Sequence, residues 1–167
     1  MIQVYTGNGK GKTTASLGLA LRAAGAGLKV YIGQFLKSGC YSEVCAIKAI
    51  KNITLEQFGS KCFLVKSPTK KDIENANYGL LKAKKVIASR KFDVVVLDEI
   101  NVALRLKLFT LKEVLDLISI TPKKTELVLT GRNAPLKIIQ VADLVSEIID
   151  RKHYYSKGLK ARKGIEK

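Results

Sequence analysis

Apolar, β-branched runs of five or six residues alternate along this chain with longer segments whose apolar positions recur at helical spacing. That alternation is the pattern of a parallel sheet covered by helices on both faces. Strands are predicted at Ile2–Thr6, Lys29–Leu36, Ile53–Phe58, Asp93–Asp98, Glu126–Thr130 and Leu144–Ile149, with helices between them. The first helix is expected over Thr13–Ala24, rich in Ala and Leu and stopped by the Gly25 and Gly27 pair. Another is expected over Lys71–Ser89. A third opens at Thr110, where Glu113 three residues on completes a capping box that satisfies reciprocal backbone donors. The least periodic stretches, Lys37–Ser42 and Gly59–Thr69, both follow strands, and parallel sheets place ligands in the loops at their carboxyl ends.

Length and composition narrow this to one globular domain over residues 1–167: 47% of positions are hydrophobic, 26% are charged and no internal repeat is visible. Only the last ten residues have a disorder-like character. No apolar run approaches the roughly 20 residues that span a bilayer, and Met1 leads directly into a strand without a basic-then-apolar leader. A cytoplasmic protein without membrane partners is therefore expected. Cys40, Cys45 and Cys62 are odd in number and lack C-x-x-C spacing, so they read as free thiols.

The formal charge of +16 raises the possibility of a nucleic-acid partner. Against it, the lysines are scattered, and the densest basic stretch, KGLKARKGIEK, has no aromatics interleaved for base stacking. A solvated lysine surface, or attraction of an anionic small molecule, fits the distribution better.

The chemistry is concentrated in TGNGKGKTT, Thr6–Thr14, between the first strand and the first helix. Gly7, Gly9 and Gly11 permit turns that point successive N–H groups inward, the helix N-terminus adds a positive dipole end, and Asn8 and Lys10 lie between the glycines. Lys12 supplies a mobile cation, and Thr13, followed by Thr14, offers a hydroxyl to Mg²⁺. The general pattern G-x-x-x-x-G-K-[ST] wants glycine at position 6, where this chain has Thr6. A second feature is VVVLDE, Val94–Glu99, a buried strand that ends in Asp98 and Glu99 and sets an acid beside the phosphate loop for Mg²⁺ or its water. Arg132, beyond the fifth strand, sits on the same edge and can neutralise phosphate charge. His153 has no partner in sequence for base or ligand chemistry and reads as structural. These features lead to a three-layer, phosphate-loop NTPase-like (RecA-like) α/β fold that binds ATP.

The strings TGNGKGKTTASLGLALRAAGAG, QF at Gln34 and Phe35, VVVLDEIN, LTGRNAP, ADLVSEI, KH at Lys152 and His153, and GIEK go further. Together they make the chain similar, along nearly its whole length, to the phosphate-loop ATP:cob(I)alamin (corrinoid) adenosyltransferases. The resemblance implies transfer of the 5′-deoxyadenosyl group of ATP to the cobalt(I) of a reduced corrinoid, leaving inorganic triphosphate, with ATP bound in a reversed sense along the loop. It also implies a homodimer and a reductase that supplies cobalt(I). Cobalt(I) is itself the nucleophile, so no general base is required. By the same resemblance Gly7 to Thr13 match the triphosphate loop, and Thr13 and Glu99 match the Mg²⁺ contacts with Asp98 beside them. Lys12 and Arg132 spread the charge.

Three departures concern the corrinoid half. Relatives often carry an N-terminal arm over the corrinoid, some carry F-T-W where this chain reads GSKCFLVKS, and the ending GIEK lacks the usual final aromatic. Phe63 is the candidate for the aromatic that displaces the lower ligand of cobalt. The rival readings are another phosphate-loop ATPase or nucleoside kinase, and a basic ATP-dependent nucleic-acid binder.

Overall fold

Six strands form one sheet in which every pair is parallel, in the order β3-β2-β4-β5-β1-β6. They are β1 (Ile2–Thr6), β2 (Val30–Phe35), β3 (Ile53–Phe58), β4 (Val94–Asp98), β5 (Glu126–Thr130) and β6 (Leu144–Glu147). The computed structural model describes residues 1–39, 41–60 and 67–166. Phe63, Cys40 and Cys62 therefore lie outside the described residues.

Alternation along the central strands divides the core between two faces. Val30 and Ile32, Val94 and Val96, and Val128 pack with α1 (Lys12–Gly25) and α2 (Ser42–Lys48) through Ala20, Ala23 and Ile47. Tyr31 and Phe35, Val95 and Leu97, and Leu127 and Leu129 point the other way. There they meet α3 (Lys70–Ser89), α4 (Ile100–Arg105), α5 (Leu111–Ser119) and α6 (Leu136–Val141). All four apolar residues of β4 are buried. At roughly 1.5–3 kcal/mol for each fully buried Val or Leu, they anchor a strand whose end carries a buried carboxylate. By contrast, every residue of the edge strand β6 is exposed.

Helix ends follow the local chemistry. Leu28 N–H donates to Ala23 O and Gly27 N–H to Ala24 O, both at 3.0 Å, with Gly27 at φ 83°. This is a Schellman stop, and it requires the glycine. Thr110 and Glu113 form the expected capping box of α5, and Thr69 and Asp72 form a second one on α3. The helices α2, α4 and α6 run only six or seven residues, too short for a 3.6-residue period to stand out.

Strand β2 stops at Phe35 because Leu36 takes a left-handed conformation, φ 59°. Cys45 is disulfide-bonded, which corrects the reading of three free thiols. The tail also differs from its composition: Glu166 is bound to Lys10, Tyr154 and Arg162.

Candidate active site

The loop after β1 is braced by main chain on one side and open on the other. Gly7 (φ 91°) and Gly11 (φ 122°) adopt backbone conformations that favour glycine. A Cβ on Gly7 would meet Ile148 O and one on Gly9 would lie 2.7 Å from the same atom, so both glycines are required by the close approach of the chain beyond β6. The Gly9 N–H donates to Ile148 O (2.7 Å) and the Lys10 N–H to Asp150 Oδ1 (2.9 Å). Thr6, standing where the common loop pattern has glycine, accepts from the Ala134 N–H at 3.2 Å and ties the end of β1 to the loop after β5.

Beyond Gly11 the N-terminus of α1 has neither a capping side chain nor an acid in its first turn. Its backbone donors and positive dipole end therefore face the cavity, ready for an anion. Lys12 is buried and its Nζ donates to Gly9 O at 2.5 Å. Burial, and then the charge of Arg132, hold its pKa below the ordinary lysine value.

One strand, β5, separates the loop strand β1 from β4, yet side chains close the gap. Asp98 is fully buried and accepts four hydrogen bonds. On Oδ1 the donors are Thr13 (2.9 Å) and Thr130 (2.7 Å); on Oδ2 they are Lys37 Nζ (2.9 Å) and Gln34 Nε2 (3.3 Å). Gln57 donates in turn to Gln34 at 3.0 Å. Burying a carboxylate costs several kcal/mol, and these charge-assisted and neutral donors offset that cost. Glu99 follows at φ 62°, a left-handed kink in a non-glycine residue, and its N–H donates to Thr130 Oγ1 at 3.0 Å. Burial, then the neighbouring Asp98, raise the pKa of Glu99.

These residues line or underlie an open cavity of about 570 Å³, within the range of small-molecule sites. Of the residues expected from sequence, Gly9, Lys10, Gly11, Lys12, Thr13, Thr14, Glu99 and Arg132 line it, with Asp98 beneath Thr13. Gly7 packs under Ile148 instead, Asn8 is exposed, and Phe63 is outside the described residues.

The sequence reading marked Lys37–Ser42 as a ligand-placing loop without singling out Lys37 or Tyr41, and it missed Asp150 and the tail residues Gly164 to Glu166, all on the cavity wall. Lys37 had one legible signal: it comes two residues after a strand end in a parallel sheet. Burial pulls its pKa down, but attraction and a hydrogen bond to Asp98, with help from Glu99 and Glu43, leave it raised. His153, read from sequence as structural, lines the cavity as well, and its Nδ1 accepts from the Tyr155 N–H at 3.0 Å.

Comparison with known proteins bears on the family of the chain. The chain is 33% identical over 168 residues to a corrinoid adenosyltransferase of Pseudomonas aeruginosa, covering 99% of this chain and 83% of that one. It is 34% identical to the corrinoid adenosyltransferase of Escherichia coli K12 (99% and 85% covered) and 34% identical to one from a Sinorhizobium species (99% and 79%). Among solved structures, a KaiC-like protein from Pyrococcus horikoshii superimposes with a TM-score of 0.57 at 16% identity, covering 90% of this chain and 74% of that one. At that identity the likeness concerns the fold alone. The family description ATP:corrinoid adenosyltransferase BtuR/CobO/CobP matches residues 1–166, and with relatives a third identical along nearly the whole chain, this protein belongs to that family.

Proposed function

We propose that this chain transfers the 5′-deoxyadenosyl group of ATP to the cobalt(I) of a reduced corrinoid, releasing inorganic triphosphate. The cobalt(I) electron pair forms the bond to C5′, the C5′–O bond breaks, and its pair leaves on the triphosphate. No proton needs to be moved by the protein. Its work is to hold the leaving group and keep cobalt and carbon in line. The observation that carries this reading is the uncapped N-terminus of α1 opening on a cavity that also gathers Lys12, Lys37 and Arg132.

In this reading the α1 N–H groups and Lys12 bind the triphosphate, Arg132 adds charge at the rim, and Thr13, Asp98 and Glu99 hold Mg²⁺. The donor set suits that ion. Mg²⁺ is held by one or two carboxylates and substrate phosphates rather than by a protein cage. An ammonium already sits on the Thr13–Asp98 pair, which supports the pair as a cation position. When bound, Mg²⁺ would neutralise phosphate oxygens of the leaving group. Phe63 as a wall for the corrinoid, a homodimer and a reductase partner belong to the same reading and rest on the family resemblance, and a cytoplasmic location goes with it.

Incubation with ATP and a chemically reduced corrinoid tests the reaction. Equal amounts of triphosphate and a light-sensitive adenosylcorrinoid are expected. Stoichiometric ADP with unmodified corrinoid would replace this reading with a kinase or ATPase, and steeply salt-dependent DNA binding would point to a nucleic-acid role.

A further inference from the structure

The loop after β2 places a lysine where neither the phosphate-loop pattern nor the acidic strand calls for one. Lys37 Nζ lies 2.9 Å from Asp98 Oδ2 and 3.5 Å from Thr13 Oγ1, the pair of oxygens assigned above to the metal. Its side chain is 12% exposed, forms part of the cavity wall, and lies 5.9 Å from the centre of the Tyr41 ring.

Two backbone features seat it there. Leu36 is held at φ 59°, which turns the chain back toward the cavity as β2 ends. A Cβ on Gly59 would lie 2.6 Å from Lys37 N and 2.7 Å from Lys37 O, so Gly59 leaves room for the Lys37 backbone and for nothing larger. A left-handed non-glycine residue costs of order 1–3 kcal/mol and persists where the surroundings impose it.

A fixed counter-ion is a poor explanation of this arrangement. Thr13, Thr130 and Gln34 already donate to Asp98, and a buried ion pair is weak support for a fold, because apolar replacements often serve as well. Lysine differs from those donors in carrying a full charge on a flexible four-carbon stem with three rotatable donors. A divalent cation and an ammonium cannot both occupy the Thr13–Asp98 pair, since their repulsion at such distances opposes it. When one arrives, the other must leave, and the open side of the cavity is where the triphosphate would lie.

We infer that Lys37 is a second triphosphate-binding lysine, parked on Asp98 and Thr13 in the free protein and displaced onto the phosphates when Mg²⁺ takes that position. The inference rests on the proposed triphosphate site and adds a residue to it. Lys37 acts as a tethered cation, exchanging one anionic partner for another without either charge being left alone.

The test compares tripolyphosphate binding by calorimetry in excess Mg²⁺ for wild type, Lys12→Ala, Lys37→Met and Lys37→Arg. Lys37→Met is expected to bind about ten-fold more weakly or worse, the loss carried by one charge-assisted hydrogen bond. Lys37→Arg should recover most of that loss. Without nucleotide, Lys37→Met should bind Mg²⁺ more tightly than wild type, its competitor being gone.

Acetylation footprinting of the wild type gives a readout independent of whether the variants fold. Mg²⁺ alone should raise the reactivity of Lys37, and Mg²⁺ with tripolyphosphate should lower it again. Reactivity that ignores both additions, or wild-type affinity in a folded Lys37→Met, would overturn the inference and leave Lys37 as a counter-ion. Failure of the wild type to bind tripolyphosphate, with no effect of Lys12→Ala, would instead overturn the site itself.

Discussion

The ammonium of Lys12 rests on the carbonyl oxygen of Gly9, 2.5 Å away and three residues back in the same loop. The free loop is thus closed on itself by the cation that the triphosphate would claim. Replacing Lys12 with Ala removes that cation but little core packing, so turnover should fall roughly a hundred-fold or more while the thermal midpoint moves by only a few degrees. Steady-state kinetics and a melting curve on the same preparation check it. Near-normal turnover in a folded variant would remove Lys12 from the site.

Asp98 is surrounded by donors, so Asp98→Asn turns an acceptor set into a conflict. Its new amide would either face Lys37 or Gln34 with a donor against a donor or force the Thr13 and Thr130 hydroxyls to accept instead of donate, and in both cases Lys37 would lose its charge partner. Breaking a buried pair from one side costs about 3–5 kcal/mol, which denaturant titration would read directly. Adding Lys37→Met to Asp98→Asn should cost less than the sum of the two single changes. Simple additivity would show that the two groups are not coupled.

Gly79 on α3 sits against Phe58, where a Cβ would lie 2.5 Å from Cγ of the ring. In a solvent-facing helix Gly→Ala gains about 1 kcal/mol. Here the sign should reverse, because overpacking a core contact costs about 1–3 kcal/mol. A Gly79→Ala variant more stable than wild type would mean that α3 shifts freely on the sheet.

The tail contact has a pH window. Arg162 first, then Tyr154, hold the Glu166 carboxyl far below its usual range. A depressed acid contributes stability above its unfolded value, about 4.3, and loses it as pH falls through the folded value. Docking of the tail should therefore be constant from pH 8 to 5 and fail only in stronger acid. The Glu166 amide, bonded to Arg162 O at 3.0 Å, reports this by hydrogen exchange after correction for intrinsic rates. Glu166→Gln should lose protection at pH 7, and retained protection there would rule out the carboxylate as the clasp.

How much of this was visible in the sequence depends on the range of each interaction. Strand runs such as Val94–Leu97 and the Thr110–Glu113 box are written in neighbouring residues, and they appear where expected. The loop from Gly9 to Thr14, Glu99 and Arg132 could be found because each sits at a strand end, and a parallel sheet gathers such ends along one edge. Lys37 was overlooked because its role depends on register across β2 and β4, where Gln34 lies opposite Asp98. The Asp150 and Glu166 contacts with Lys10 span 140 and 156 residues, and no local pattern announces them. The disulfide at Cys45 was hidden for a different reason: an odd number of cysteines without a recognised spacing does not announce a pair.

The packing of Gly7 and Gly9 beneath Ile148 also has a consequence for biosynthesis. The phosphate loop leaves the ribosome ahead of the rest of the sheet, and the main chain that braces it is made some 140 positions later. Until residues 148–150 emerge, Gly7 and Gly9 lack the main chain they pack against. A nascent chain halted before β6 would lack the main chain that backs these two glycines. The loop therefore gains its brace late in synthesis.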